Sequence, residues 1–365
     1  VESLWQTPQV RDRRPEVTDE ALNVQWYIEN VLFEVISDVY DALERAVEEE
    51  FDEDVEIPKL YEFRSWAGSD RDGNPFVTPE VTEETLDRQQ SVALPMYRDR
   101  LKELSGVLSQ DASQIDTGER FEERLDAHRD RLPGVATEAG ERYPGEPYRQ
   151  KIKLMRESVL RVNDVRSGGY DHPDQFLADI DAIADSLRAN GAETIAESYV
   201  DPLARTVDTF GFNLASLDLR DHREKHTDAI AEAVEREGVD YEAMDEDERV
   251  DFLTEAILQE APVVDMADTG DLSEDARRVL RRFRKTADWQ REYGVDAIDT
   301  YCISWCEESS HVLEVLFLAD QAGIVDLPGY CGLDVVPLLE SKYALDGARR
   351  IMGTLFENDA YRKAL

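Results

Sequence analysis

The stretch FRSWAGSDRDGNPFVT, residues 63–78, predicts a tight loop that leads into a helix. Two glycines, an Asn-Pro pair and an Asp-Gly pair are typical of turns, because glycine adopts positive φ and Asp and Asn side chains bond nearby backbone. Thr78 and Pro79 are suited to be an N-cap and a first helical position. Trp66 and charges of both signs therefore precede the positive end of a helix, a suitable place for an anion.

A calcium-binding loop is excluded for this stretch. Asp70, Asp72 and Asn74 have the spacing of the first three EF-hand ligands. However, Pro75 stands where that loop needs glycine, and Val81 stands where it needs glutamate. From the residues alone, a purely structural turn and an anion site both remain open.

The composition is strongly acidic, with 82 Asp and Glu residues against 41 Lys and Arg and a net charge of −41. The acids are spread along the whole chain, so we expect no nucleic-acid binding, which needs a positive surface. Such an excess of negative charge is self-repulsive at low salt, and high salt screens the repulsion. We therefore expect a halophilic protein from a salt-rich cytoplasm.

The length of 365 residues predicts one large domain or two smaller ones. We expect no membrane association, because no run of about 18 apolar residues occurs. We likewise expect no signal peptide. Three cysteines without a Cys-x-x-Cys motif argue against a disulfide framework and against zinc. A reduced, cytoplasmic setting is the simplest expectation.

Helical periodicity dominates the first part of the chain, where apolar residues at three- and four-residue steps predict long helices over 18–50 and 79–105. The first should bury one continuous apolar stripe that includes Val35 and Val39. Buried strands are predicted at 212–219, 301–306 and 333–340, each followed by a helix. This repeat is typical of α/β barrels. We therefore predict a predominantly α fold with a few short parallel strands. It comprises a mainly helical part, 1–210, and a partial α/β (TIM-like) barrel with many extra helices, 211–365.

Two predicted strands end in charged residues. Arg220 follows the first strand, and Glu340 ends the third. Catalytic groups gather at the carboxyl ends of barrel strands. From the residues alone, Arg220 is more often a salt-bridge partner, and Glu340 is one acid among many. His311, in the helix predicted over 309–321, is expected on the helix surface.

The string Ser-Trp-x-Gly-x-Asp-Arg-Asp-Gly-Asn-Pro-x-Val-Thr, within 63–78, closely resembles a signature segment of phosphoenolpyruvate carboxylase. Three further strings resemble segments of that family: Leu-Trp-Gln-Thr at 4–7, Leu-Asp-Leu-Arg at 217–220 and Val-Val-Pro-Leu-x-Glu at 335–340. Asp221 stands where the family usually has Gln. The resemblance extends from about Leu4 to the end of the chain.

The resemblance implies carboxylation of phosphoenolpyruvate by bicarbonate, giving oxaloacetate and phosphate for the tricarboxylic acid cycle. It implies that Arg220 binds the phosphoenolpyruvate anion and that Glu340 binds Mg²⁺ or Mn²⁺. Trp66 and Leu338 match residues of the pocket around the substrate's methylene group. Arg71, in the signature loop, is a further candidate for substrate binding.

The resemblance assigns no catalytic acid or base within the chain. The family's general-base His segment is expected before residue 1. Its second metal carboxylate, Lys-bearing segment, phosphate loop and inhibitor-binding residues are expected after residue 365. We therefore expect an internal fragment, inactive alone, of an allosteric parent enzyme that the resemblance implies is a homotetramer. The alternative is a non-catalytic acidic helical scaffold that retains the fold for subunit contacts.

Overall fold

The computed structural model describes residues 16–51, 55 and 57–365, and this part of the chain is mostly helical, as predicted. The α-helices are α1 Val17–Tyr27, α2 Phe33–Phe51, α3 Pro79–Val107, α4 Glu119–Arg131, α5 Pro133–Arg142, α6 Pro147–Leu160, α7 Pro173–Ala189, α8 Glu193–Ile195, α9 Asp201–Phe210, α10 Arg223–Glu235, α11 Glu246–Leu258, α12 Glu274–Tyr293, α13 Ser309–Gln321, α14 Lys342–Glu357 and α15 Asp359–Ala364. The strands are β1 Arg64–Ser65, β2 Ser216–His222, β3 Thr300–Ser304, β4 Val325–Asp326, β5 Tyr330–Cys331 and β6 Asp334–Pro337.

Four strands form one parallel sheet in the order β1-β2-β3-β6. The predicted parallel strands are confirmed, and β1 is an addition, because a two-residue strand leaves no pattern in the sequence. β2 begins four residues later than predicted. The reason is that Phe212, Leu214 and Ala215, which precede it, are buried in the helical core instead.

Side chains alternate between two faces along β2. Leu217 and Leu219 are buried against the helices that follow the strands. Asp218, Arg220 and His222 lie on the other face and are only partly buried. The sheet therefore has one apolar, covered face and one polar, more open face.

Two hydrophobic cores meet along α3. Leu86, in its first half, packs with the residues that cover the sheet. Ala93, Tyr97 and Leu101, further along, pack in the core between α2, α6, α7 and α9. The Tyr97 hydroxyl also donates to the carbonyl of Gly211 at 2.7 Å. A single helix therefore contributes to both cores, although the predicted division at residue 210 stays a prediction.

The long helix predicted over 18–50 is present, but its buried face differs from the prediction. Ile28, Phe33 and Ile36 are buried, whereas Val35 and Val39, which were expected in the apolar stripe, are each 38% exposed. A π-helical turn at Ile28–Leu32 separates α1 from α2. Its wider turn adds one residue and rotates all later positions around the axis.

A buried ionic cluster joins α4, α6 and α7. Lys151 is fully buried, and its Nζ lies 2.9 Å from Oδ1 of Asp179. The same Nζ donates to the carbonyl of Arg124 at 2.8 Å. The hydroxyl of Tyr170 donates to the other oxygen of Asp179 at 2.8 Å. Each charge therefore has a partner, as buried charges require. No helix of the described residues is long and apolar enough to cross a bilayer.

Candidate active site

The signature loop, residues 63–78, contains β1, the outermost strand of the sheet. Arg64 pairs with Ser216 at the start of β2. Further along, the backbone N–H of Arg71 donates to the carbonyl of Arg220 at 2.9 Å. These contacts place Trp66, which is 59% exposed, just beyond the carboxyl end of β1.

Arg71 holds the loop on the start of α3. Its side chain is 7% exposed and donates to the carbonyl of Ser69 at 3.0 Å and to Oγ1 of Thr82 at 2.7 Å. Burial lowers the pKa of Arg71 to about 9. Gly68, with φ of +93°, packs so closely that a Cβ there would lie 2.3 Å from Oγ1 of Thr85. Direct substrate binding by Arg71 stays a prediction, since its guanidinium already has these partners.

Arg220 is held by the loop through one edge of its guanidinium. Its Nε donates to Oδ1 of Asp70 at 2.9 Å. Its Nη2 lies 3.8 Å from Oδ2 of Asp72, too far for a hydrogen bond. The terminal nitrogens make no hydrogen bond to any residue in the described part of the chain, and the side chain is 32% exposed. They therefore remain available to an anion.

The residue after Arg220 points to the covered face. Asp221 is 4% exposed, pairs with Nη1 of Arg282 and accepts the N–H of His222 at 2.8 Å. Burial alone would raise the pKa of Asp221, but Arg282, His226 and the backbone N–H of His222 together outweigh it, and the pKa lies below its ordinary value. The Asp that replaces the family's Gln thus has a buried counter-charge on α12.

Leu338 and Glu340 lie beyond the carboxyl end of β6. The N–H of Leu338 donates to Ile303 at 2.9 Å, and its carbonyl accepts from Cys306 at 3.2 Å, which continues the pairing with β3. Glu340 is exposed, and its Oε1 accepts the backbone N–H of Trp305 at 3.4 Å. Trp305 has φ of +56° and so turns the chain sharply out of β3.

The register of the sheet brings the predicted site residues to one edge, the edge formed by the carboxyl ends of the strands. Arg220 pairs with Cys302, which pairs with Val336. Two strand spacings separate Arg220 from Val336, about 10 Å between Cα atoms. The residues predicted from the resemblance that share this edge are Trp66, Arg220, Leu338 and Glu340.

Glu340 is suited to be one ligand of a hard divalent cation, because such ions prefer carboxylate oxygens. Its Oε2 has no hydrogen bond to another described residue. Within residues 16–51, 55 and 57–365, no group of three His, Cys, Asp or Glu is arranged to hold a metal. The described residues therefore provide one carboxylate ligand for such a cation, Glu340, and the other ligands would have to come from elsewhere.

The prediction for His311 was wrong. It is 4% exposed, and its Nδ1 accepts the backbone N–H groups of Glu307 and Glu308 at 3.2 and 3.3 Å. Burial lowers the pKa of His311 to about 3. The reason is that α13 is covered on all sides by α10, α11 and α14, so a position that looked like a helix surface is interior.

Sequence reasoning missed Asp70 as part of this edge, and only weighed it as a calcium ligand. Its one signal was its place beside Arg71 in the Asp-Arg-Asp string. A cavity of about 800 Å³ lies at the opposite, amino ends of the strands, lined by Phe63, Ser216 and Asp299 among others. It contains none of the predicted site residues.

Comparison with known proteins matches residues 1–365 to the family described as phosphoenolpyruvate carboxylase. The chain is 34% identical over 361 residues to the phosphoenolpyruvate carboxylase of Xanthomonas euvesicatoria pv. vesicatoria, which covers 99% of this chain and 39% of the relative. It is 31% identical over 380 residues to that of Roseiflexus castenholzii, covering 100% of this chain and 40% of the relative. The chain thus spans about two fifths of the length of the curated relatives that it matches.

Proposed function

Because the chain belongs to the phosphoenolpyruvate carboxylase family, we propose that its full-length parent carboxylates phosphoenolpyruvate with bicarbonate, forming oxaloacetate and phosphate. The single observation that carries this proposal is the shared edge of the sheet. A guanidinium with free terminal nitrogens, a tryptophan, a leucine and an exposed carboxylate all lie there.

Arg220 would bind the anionic substrate. Phosphoenolpyruvate carries a phosphate and a carboxylate, and either group matches the two parallel N–H bonds that a guanidinium offers. The hydrogen bond from Nε to Asp70 supports this role, because it leaves the Nη nitrogens for the ligand.

Trp66 and Leu338 would line the apolar side of the site. An indole and a leucine exclude water from the reacting methylene carbon and from carbon dioxide, which has no charge to bind. Glu340 would hold Mg²⁺ or Mn²⁺, which, when bound, would neutralise phosphate charge and stabilise the enolate. The general base would come from outside this chain, so the 365-residue chain alone should not turn over substrate.

The test compares variants of the full-length parent by the rate of oxaloacetate formation. Arg220→Ala should lower kcat/KM by about 100-fold, since a charged hydrogen-bond pair contributes roughly 1.5–3 kcal/mol. Glu340→Gln should raise the Mn²⁺ concentration needed for half-maximal rate. Arg277→Ala, which removes an exposed arginine on α12, is the matched control and should leave the rate unchanged. Unchanged turnover in both site variants would favour the non-catalytic scaffold.

A further inference from the structure

Asp70 lies against Arg220, the residue predicted to bind the anion, along both the backbone and the side chain. Asp70 and Arg220 form an isolated parallel bridge, in which the next residue's N–H donates to the carbonyl of Arg220 at 2.9 Å. The Oδ1 of Asp70 accepts the Nε–H of the same arginine at 2.9 Å. The loop therefore holds Arg220 at both ends, at its backbone through Arg71 and at its guanidinium through Asp70, which lies 150 positions away in sequence.

The carboxylate of Asp70 is itself held in place. Its Oδ1 also accepts the backbone N–H of Asp72 at 3.0 Å, which closes an Asx turn. The backbone N–H of Asp70 donates to the carbonyl of Trp66 at 3.0 Å. Asp70 therefore links the tryptophan at the end of β1 to the guanidinium at the end of β2.

We propose that Asp70 is a positioning residue, which orients the guanidinium of Arg220 so that its terminal nitrogens face a phosphorylated carboxylic acid. This inference rests on the proposed function for the identity of the ligand. An arginine side chain has several rotatable bonds and loses rotamer entropy when it binds. A hydrogen bond to Nε removes that freedom in advance without occupying the nitrogens that bind the anion.

The experiment is a double-mutant cycle in the full-length parent, with KM and kcat measured separately. Asp70→Ala should raise the KM for phosphoenolpyruvate by about tenfold, and Asp70→Asn, whose amide oxygen still accepts from Nε, should stay within about threefold of wild type. Combined with Arg220→Ala, Asp70→Ala should add no further loss. Asp99→Ala, which removes an exposed aspartate on α3, is the matched control.

Calorimetric binding of inorganic phosphate to the same variants gives a second measurement that does not depend on turnover. If the parent makes no oxaloacetate, the proposed function fails, but Asp70→Ala should still weaken phosphate binding about tenfold. Either of two results would overturn the inference. One is wild-type KM and phosphate affinity in Asp70→Ala, and the other is an equal further loss when Arg220 is already absent.

Discussion

Asp179→Ala should destabilise the chain by about 3–5 kcal/mol, the usual consequence of leaving a buried charge without its partner. Asp179 is 2% exposed, and Lys151, its partner at 2.9 Å, is fully buried. The variant leaves the ammonium with the carbonyl of Arg124 and a ring nitrogen of His128 as its only neighbouring acceptors in the described structure. Neither carries a negative charge.

The loss of stability in Asp179→Ala should depend on pH. Burial lowers the pKa of Lys151 to about 8 from 10.5, although Asp179 opposes this. The unfolded state therefore binds more protons than the folded state between about pH 8 and 10.5, and wild-type stability rises with pH across that window. A neutral lysine needs no counter-charge, so the deficit of Asp179→Ala should narrow as pH rises from 8 to 10.

The assay is urea unfolding of the 365-residue chain followed by far-ultraviolet circular dichroism at pH 7 and pH 10. Asp179→Ala combined with Lys151→Met should recover most of the stability, because the charge and its missing partner are then both absent. Asp185→Ala, an exposed aspartate on the same helix, serves as the control. A wild-type unfolding midpoint in Asp179→Ala, or no recovery in the double variant, would refute the reasoning.

Burial raises the pKa of Glu314 to about 7 from 4.5, so the folded state should hold a proton that the unfolded state has released. Stability should therefore fall as the pH rises from about 4.5 to 7. Glu314→Gln should flatten that fall in thermal midpoint, and a parallel slope in the variant would contradict this. The net charge of −41 predicts that raising KCl from about 0.1 to 2 M raises the thermal midpoint, because salt screens the repulsion, and a constant midpoint would argue against it. In the parent, Leu338→Ala should divert product from oxaloacetate to pyruvate, measured by product ratio, whereas Leu345→Ala, at a 62% exposed position, should not.

Much of the fold could be predicted because its signals are local. Periodicity located α3 to within two residues, and buried apolar runs located β2, β3 and β6. The π-helical turn at Ile28–Leu32 and the two-residue strand β1 could not be predicted. The first depends on how α1 packs on α3 and how α2 packs on α9, and the second exists only because β2 lies beside it.

The candidate site was predictable only in part. Arg220 and Glu340 follow buried strands, so their place at one sheet edge follows from parallel pairing. Their proposed roles, however, come from the family resemblance, since an arginine or glutamate at a strand end has many uses. The contact of Asp70 with Arg220 joins residues 150 positions apart, and no local pattern in the sequence indicates it. The burial of His311 likewise depends on three helices that its own segment does not specify.

Helix α3 has 29 residues, about 43 Å at 1.5 Å per residue, and the signature loop ends where it begins. Its far half is fixed in the helical core, with Tyr97 fully buried there. A rod of this length converts a small tilt at one end into a larger displacement at the other. Random mutagenesis of the full-length parent, scored by its proposed carboxylation, should therefore return cavity-forming substitutions along the distal half of α3 together with pocket residues. Heat sensitivity should distinguish the two groups.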